Sequence, residues 1–264
     1  MEHIPRAKDI QTSYENFIAR CPWCGGENIF NRASDLKDFQ PIDYREVSCL
    51  NPDCSKPFYL NADVIDPAYQ MLIFDCNELL QRKHYAYCIL NLAQAFEVFF
   101  GQYLRVELLY KPYGSDPEED IERLNDINKL LYDRTKQCSF ERMRNLFFWI
   151  VLQPRHPASL HEAETIINGF PDKPSCPSDE AVTNASISAD KRIRELLLRL
   201  KSCKIPELRN QVVHQRAYRP TLDEVNNAVK EAREILFVLP HALQVVNEDL
   251  NWYLGQRAKG LASV

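Results

Sequence analysis

The spacing of apolar residues changes after the first quarter of the chain. Before that point, apolar residues fall in short runs at residues 28–30, 44–48 and 57–60, a pattern that predicts short strands. Farther along they recur at steps of three and four, the spacing of one face of a helix. The pattern predicts a mainly α protein, with a small β domain at residues 1–65 and a helical bundle at residues 66–264.

The longest helical pattern covers residues 84–109. Its apolar stripe is wide enough to be buried by more than one neighbouring helix and consists of Ile89, Leu92, Ala93, Phe96, Phe99, Phe100, Tyr103 and Leu104. Glu97 lies within this stretch, where a carboxylate is costly to bury without a partner. We expect Glu97 either to lie at an exposed edge or to pair with a cation on another helix, with Arg209 as the candidate.

Several helix boundaries can be placed from capping residues. Asp66 followed by Pro67 marks a helix start, Ser139 is a suitable N-cap, and Thr221 with Glu224 predicts a capping box for a last helix that runs to about Asn247. Five prolines interrupt the segment between these helices, so we predict an irregular loop at residues 153–188. Its two histidines and Glu162 have no metal-binding spacing, and we assign them to no site.

Composition and charge limit the classes of function. The net charge is −5, which argues against a protein that coats nucleic acid through overall positive charge. Residues 1–20 are polar and resemble no signal peptide, and no window approaches the roughly 18 apolar residues of a membrane span. We therefore expect a cytoplasmic protein without a membrane partner.

Four of the nine cysteines form two close pairs, Cys21 with Cys24 and Cys49 with Cys54. Four thiolates brought together tetrahedrally make a closed zinc site, and Gly25 supplies the backbone freedom needed just after the first pair. This part of the chain resembles a zinc ribbon. A closed four-cysteine site has no open coordination position, so we predict a structural Zn²⁺ and no catalytic metal.

Two alternatives to zinc remain for the cysteine pairs. Cys21-Pro-Trp-Cys24 has the spacing of a redox pair, but the following Gly-Gly and the presence of a second pair disfavour redox chemistry. The cysteines can also be simply buried. We expect Trp23, Phe30 and Tyr44 to form the small core of this domain rather than to stack on bases.

A second group of polar residues occurs between Pro206 and Pro220. Arg209, Asn210 and His214 lie there on one short predicted helix among apolar residues. Arginine binds phosphate through two parallel hydrogen bonds, and histidine transfers protons near neutral pH. Nearby cations predict a phosphate-binding surface, with these candidate substrate-binding residues: Arg199, Lys204, Arg216 and Arg219.

Helical geometry separates the two main candidates. Asn210 and His214 are four residues apart and share a face, whereas Arg209 and His214 lie about 140° apart around the helix axis. Either the long Arg209 side chain reaches around the helix to act with His214, or the two residues contact the substrate from the edge of a groove. A cleft built from two copies of the chain is the hypothesis to test.

Arg209-Asn210, three further residues and His214, followed by a Thr-capped long helix, resemble the motif of the HEPN superfamily of helical ribonuclease-like domains. The resemblance covers about residues 66–250, and Glu97 matches the acidic residue on the family's earlier long helix. It implies a homodimer whose two motifs face one cleft, metal-independent endoribonuclease activity, and a toxin or defence effector controlled by an antitoxin or other regulatory protein. Arg216 stands where one subgroup of the family has tyrosine.

The resemblance and the chemistry of RNA assign roles to these residues. His214 transfers the proton, and Arg209 stabilises the charge on the phosphate. Asn210 orients His214 or the phosphate, and Glu97 is the acidic member of the site. Two other interpretations remain open. In one, Arg209 and His214 only fasten their helix to its neighbours; in the other, the chain is a non-catalytic dimer whose zinc ribbon binds nucleic acid or a protein.

Overall fold

The computed structural model describes residues 16–31, 35, 44–61, 68–115, 121–215 and 218–245. The chain divides into two compact units, Met1–Pro67 and Ala68–Val264, called here the head and the body. The prediction of a mainly helical chain with a small β region near its start is confirmed.

The head contains two antiparallel hairpins. In the first, β1 (Asn16–Arg20) pairs with β2 (Glu27–Asn31), and in the second, β3 (Tyr44–Ser48) pairs with β4 (Pro57–Asn61). Each turn between paired strands carries one of the cysteine pairs. The two hairpins therefore have the same arrangement, an antiparallel strand pair whose turn carries two cysteines.

A buried asparagine ties the two hairpins together. Asn28 is fully buried, and its amide Nδ2 donates to the carbonyl oxygens of Gly26 (3.1 Å) and Ala19 (3.4 Å) within its own hairpin. Its Oδ1 accepts a 2.6 Å hydrogen bond from the backbone N–H of Leu50 in the second hairpin. A buried amide with its hydrogen bonds satisfied fixes the relative position of the two turns.

The body consists of helices joined by short connections. In the described residues they are α1 (Ala68–Gln81), α2 (Tyr85–Arg105), α3 (Lys111–Ser115), α4 (Ile121–Thr135), α5 (Phe140–Val151), α6 (Leu160–Asn168), α7 (Asp179–Asn184), α8 (Lys191–Ser202), α9 (Ile205–His214), α10 (Leu222–Leu236) and α11 (Leu239–Ala242). A 3₁₀ turn at Ser186–Ala189 precedes α8, and a π-helical turn at Val106–Tyr110 joins α2 to α3.

Helix α2 is the centre of the body, because α1, α5, α9 and α10 all pack against it. Its wide apolar stripe is buried as predicted, and every residue of the stripe is 3% exposed or less. Phe147 of α5 contacts several of its aromatic rings, with centroid distances of 4.7 Å to Tyr103 and 5.5 Å to Phe99. Aromatic packing at these distances stabilises the interface beyond the area it buries.

The predicted caps are present where the structure describes them. The Ser139 side chain accepts a hydrogen bond from the N–H of Arg142, and Thr221 with Glu224 forms the complete capping box. The predicted helix start at Asp66 and Pro67 lies outside the described residues. The last helix is shorter than predicted: α10 ends at Leu236, and α11 follows it after a short turn.

The prediction of an irregular loop at residues 153–188 is wrong. This segment contains α6, α7 and most of the 3₁₀ turn. The Ser159 side chain caps α6, and the Ser178 side chain caps α7. Prolines lie between these short helices rather than within them, so they separate helical segments without preventing them. In the described residues, no helix has the length and apolar character needed to cross a membrane.

Candidate metal centre and candidate active site

The four cysteine sulfurs of the head converge on one point. All four lie within 4.8 Å of one another, with 3.8 Å between the Sγ atoms of Cys21 and Cys54 and 3.8 Å between those of Cys24 and Cys49. Sulfurs arranged tetrahedrally at 2.3 Å from a metal ion are about 3.8 Å apart. The donor set and its spacing therefore fit a four-coordinate metal ion.

The two turns reach the same geometry with different numbers of residues. In the first, the N–H of Cys21 donates to the carbonyl of Gly26, and in the second the N–H of Cys49 donates to that of Lys56. The residue after the second cysteine has positive φ in both turns, Gly25 at 69° and Ser55 at 47°. The longer gap of the second pair is taken up by a turn in which Asn51 accepts from the N–H of Cys54.

The first turn also favours a thiolate. Although burial opposes ionisation, hydrogen bonds from the backbone N–H groups of Cys24 and Trp23 lower the pKa of Cys21 to about 7. Burial raises the pKa of Cys49 to about 12. Such a thiol becomes a thiolate beside a compensating positive charge, which a metal ion held by the four sulfurs would supply.

One expectation for the head is wrong. Trp23 is not part of the small core, because its side chain is 61% exposed and its Nε1 donates to the carbonyl of Pro57 over 2.8 Å. The ammonium of Lys56 lies 5.1 Å from the centre of its ring. Phe30 is buried as expected, and the side chain of Tyr44 lies outside the described part of the structure.

In the body, α9 carries the predicted Arg–Asn–His group. The Nη1 of Arg209 donates to the Oδ1 of Asn210 over 3.1 Å, which holds the guanidinium beside the amide. Burial raises the pKa of Glu97 on α2, and the positive charge of Arg209 partly opposes this shift. A hydrogen bond therefore joins Arg209 to Asn210, and Glu97 lies on a helix that packs against theirs. In the described residues no ion pair joins Glu97 to Arg209.

The fourth candidate, His214, is the exposed last residue of α9. No hydrogen bond or ion pair joins it to Arg209 in the described part of the chain. Its neighbour Val213 is 48% exposed, which is unusual for a large apolar side chain. Within one chain, His214 and the Arg209–Asn210 pair are separate features of the same helix.

The candidate substrate-binding residues differ in their surroundings. Arg199 forms an ion pair with Glu234 of α10, so a phosphate has to compete with that carboxylate. Lys204 is exposed at the start of α9, and exposed Arg219 donates to the carbonyl of Tyr218 over 3.0 Å. Arg216 lies outside the described residues. Of the candidates that the structure describes, Arg199 is therefore the one paired with a carboxylate.

Sequence reasoning missed a second group of ionisable side chains in the body. Glu107 in the π-helical turn is 1% exposed and pairs with both Lys111 and His156. His156 had been assigned to no site, and Glu107 is 49 positions away from it along the chain. The one available signal was a glutamate inside an apolar helical run, the same signal that singled out Glu97.

Comparisons with known proteins add no relative. No protein-family model, curated protein or solved structure matches the chain.

Proposed function

We propose that the protein is a metal-independent endoribonuclease of HEPN type that acts as a homodimer. The observation that carries the proposal is the arrangement on α9. Arg209 donates a hydrogen bond to Asn210, and its positive charge acts on the carboxyl group of Glu97. His214 is exposed at the end of the same helix. These are a phosphate-binding group, an orienting amide and a proton-transfer group, the set that RNA cleavage requires.

RNA carries its own nucleophile, the 2′-hydroxyl beside the scissile phosphate. His214 takes the proton from this hydroxyl or delivers one to the departing 5′-oxygen. Arg209 stabilises the negative charge that develops on the phosphate oxygens. The 2′-oxygen–phosphorus bond forms as the phosphorus–5′-oxygen bond breaks, which leaves a 2′,3′-cyclic phosphate or its hydrolysed form. No metal ion takes part in these steps.

Glu97 and Asn210 position the guanidinium. The long arginine side chain has many rotamers, and fixing it before substrate binds removes an entropic cost from the reaction. The Asn210 amide oxygen accepts from Arg209 directly, and Glu97 acts on it through charge. We expect loss of either residue to reduce the rate less than loss of Arg209 itself.

The dimer follows from the separation of Arg209 and His214 around the helix. A two-fold interface brings the same patch of two chains together, so two copies of α9 can line one cleft. The exposed Val213 beside His214 supplies apolar surface for such a contact. The HEPN resemblance further suggests a toxin or defence effector whose activity a regulatory protein controls.

We propose that the head holds a structural Zn²⁺ ion through Cys21, Cys24, Cys49 and Cys54. The spacing of the sulfurs fits this ion, and four protein ligands leave no position for substrate. The ion would supply folding free energy to a segment with a very small core.

One observation favours a second function, a non-catalytic binding module. Trp23 and Tyr59 are 61% and 51% exposed on the head, and Lys56 lies over the ring of Trp23. Exposed aromatic rings beside a cation suit the stacking of single-stranded nucleic acid bases. This surface either delivers RNA to the body or is itself the whole function.

The two functions are separated by an RNA cleavage assay with the purified full-length protein. We expect wild type to cut 5′-labelled single-stranded RNA in buffer without added divalent metal, and Arg209→Ala and His214→Ala to reduce the rate by about 10²–10⁴-fold. Both side chains are at least partly exposed, so the variants should keep their helical circular dichroism. Neither substitution changes Val213, so both should also keep their dimer mass.

His241→Ala is the matched control, because His241 is an exposed histidine in the last turn of another helix, α11. It should cut at the wild-type rate. Wild-type protein that binds RNA without cutting it would support the binding module, whereas equal cleavage by wild type and His214→Ala would exclude the proposed mechanism.

A further inference from the structure

The buried Glu107 is the centre of a second polar group in the body. Its Oε2 lies 2.5 Å from the Nδ1 of His156, and its Oε1 forms an ion pair with the ammonium of Lys111. It lies on a π-helical turn, a rare element that often marks functional sites. A carboxylate buried to this degree is stable only because both neighbours compensate its charge.

The side chain of His156 also lines an open cleft on the surface of the body. The cleft has a volume of about 460 Å³, within the range of small-molecule sites. One part of its lining is apolar and comes from Trp149, Pro154, Pro157 and Ile166. The polar part of the lining includes Arg155, His156 and His161.

The charges around the cleft favour an anion. Glu107 carries one negative charge against the positive charge of Lys111 and, when the imidazole is protonated, that of His156. The Nη1 and Nη2 groups of Arg155 donate to both carboxylate oxygens of Glu162 at 3.3–3.4 Å, so a phosphate has to compete with that carboxylate for the guanidinium, most of which is exposed. The positive groups therefore exceed the negative ones at the His156 end.

We propose that this cleft binds a nucleoside monophosphate, with the phosphate held by His156 and Arg155 and the base against Trp149 and Ile166. An imidazolium and a guanidinium together bind a phosphate through charge-assisted hydrogen bonds. A half-buried indole and an aliphatic side chain suit the flat face of a base. This site uses residues other than those of the proposed ribonuclease site and does not depend on that function.

Glu107 is a positioning residue of this site. Its carboxylate contacts Nδ1 of His156 and so orients the ring toward the cleft. The hydrogen bond and the charge of Glu107 raise the pKa of His156 above its ordinary value of 6.5, although burial and the positive charge of Lys111 oppose the shift. Binding of the phosphate should weaken as pH rises through this raised pKa.

Other charged groups also face His156 or its cleft, and their titration has to be separated from that of His156. They are Lys111, Arg155, His161 and Glu162. Buried Tyr103 lies near Glu107, and its pKa is raised by burial and by that carboxylate, so it stays neutral. His161 is the other histidine that lines the cleft, which makes His161→Gln the variant that isolates the contribution of His156.

The test is titration of the full-length protein with AMP, followed by calorimetry and by NMR of the histidine rings. We expect saturable binding at neutral pH that His156→Gln and Arg155→Gln each weaken by about tenfold or more, as loss of a charged hydrogen bond implies. His241→Gln, an exposed histidine on α11, should bind like wild type. In wild type, AMP should shift the ring signals of His156.

Glu107→Gln tests the positioning role. It preserves the shape of the buried side chain but removes its charge, so binding should be lost at lower pH than in wild type. If this variant does not fold, His156→Gln and Arg155→Gln still decide the proposal. No AMP binding, unchanged binding in both of these variants, or equal affinity for inorganic phosphate would each overturn the assignment of a nucleotide.

Discussion

The head and the body are held together in different ways. The core of the head has only five buried apolar residues in its described part, and two of them, Cys21 and Cys49, are metal-ligand candidates. The body has a continuous core that extends from Tyr69 to Val245 and is centred on α2. A small domain without a sufficient core depends on a metal ion, whereas a large core needs none. The two units should therefore respond to different perturbations.

The largest expected effect is the loss of a cysteine ligand. Cys49→Ser should abolish metal binding and unfold the head, because structural zinc supplies about 10–16 kcal/mol of apparent binding free energy in small zinc domains. Metal content per chain and the dispersion of head amide signals in NMR spectra measure this. Helical circular dichroism and the thermal unfolding of the body should remain as in wild type.

Cys176→Ser is the matched control for that experiment, since Cys176 is an exposed free thiol in the body. It should retain all of the metal. A Cys49→Ser protein that keeps its metal and its folded head would show that the head is stabilised by its core alone.

The next effect concerns the core of the body. Phe147→Ala removes a fully buried ring from the contact between α2 and α5 and should lower the free energy of unfolding by about 3–5 kcal/mol. Urea unfolding followed by circular dichroism measures the loss. Metal content should not change.

Tyr87→Ala serves as the comparison for Phe147, because Tyr87 is an aromatic residue of α2 that is 63% exposed. Its effect should stay within about 0.5 kcal/mol. Similar losses for both variants, or loss of metal from Phe147→Ala, would contradict the division into two differently stabilised units.

A smaller effect is expected from the ion pair inside the body. The pairing of Glu107 with His156 and Lys111 lowers the pKa of Glu107 despite burial, and the pairing with Glu107 raises the pKa of His156. The carboxylate contributes stability above its ordinary pKa of 4.5 and loses it as pH falls. The histidine contributes stability below its ordinary pKa of 6.5 and loses it as pH rises through the raised value.

Wild type should therefore exceed His156→Gln in stability most clearly between these two values. The difference should be about 1 kcal/mol near pH 5.5 and fade by about pH 9, a modest size because the ring is half exposed. Urea unfolding of both proteins at the two pH values measures it. A difference that grows with pH would mean that the histidine is not charged in the folded state.

The features that the sequence could predict are those formed by residues close together along the chain. The cysteine ligands lie in two short turns whose backbone hydrogen bonds set their geometry locally, so their spacing was informative. Arg209, Asn210 and His214 share one helix, and their relative directions follow from its pitch. The apolar stripe of α2 was equally clear, since a buried helix repeats its apolar residues at regular steps.

Contacts between distant segments could not be predicted in this way. Glu107 meets His156, and Arg199 meets Glu234, only because the helices that carry them pack together. No periodicity connects such residues along the chain. The short helix α6 had a usable local signal, Ser159 followed three positions later by Glu162, but the surrounding prolines outweighed it.

The ends of cleaved RNA are the sharpest test of whether Arg209 and His214 form a ribonuclease site. Wild type and His214→Ala are produced at equal levels in cells, and the RNA ends that carry 2′,3′-cyclic phosphate are sequenced. We expect many new ends with wild type and a background level with the variant. The same new ends with both proteins, or none with wild type, would contradict it.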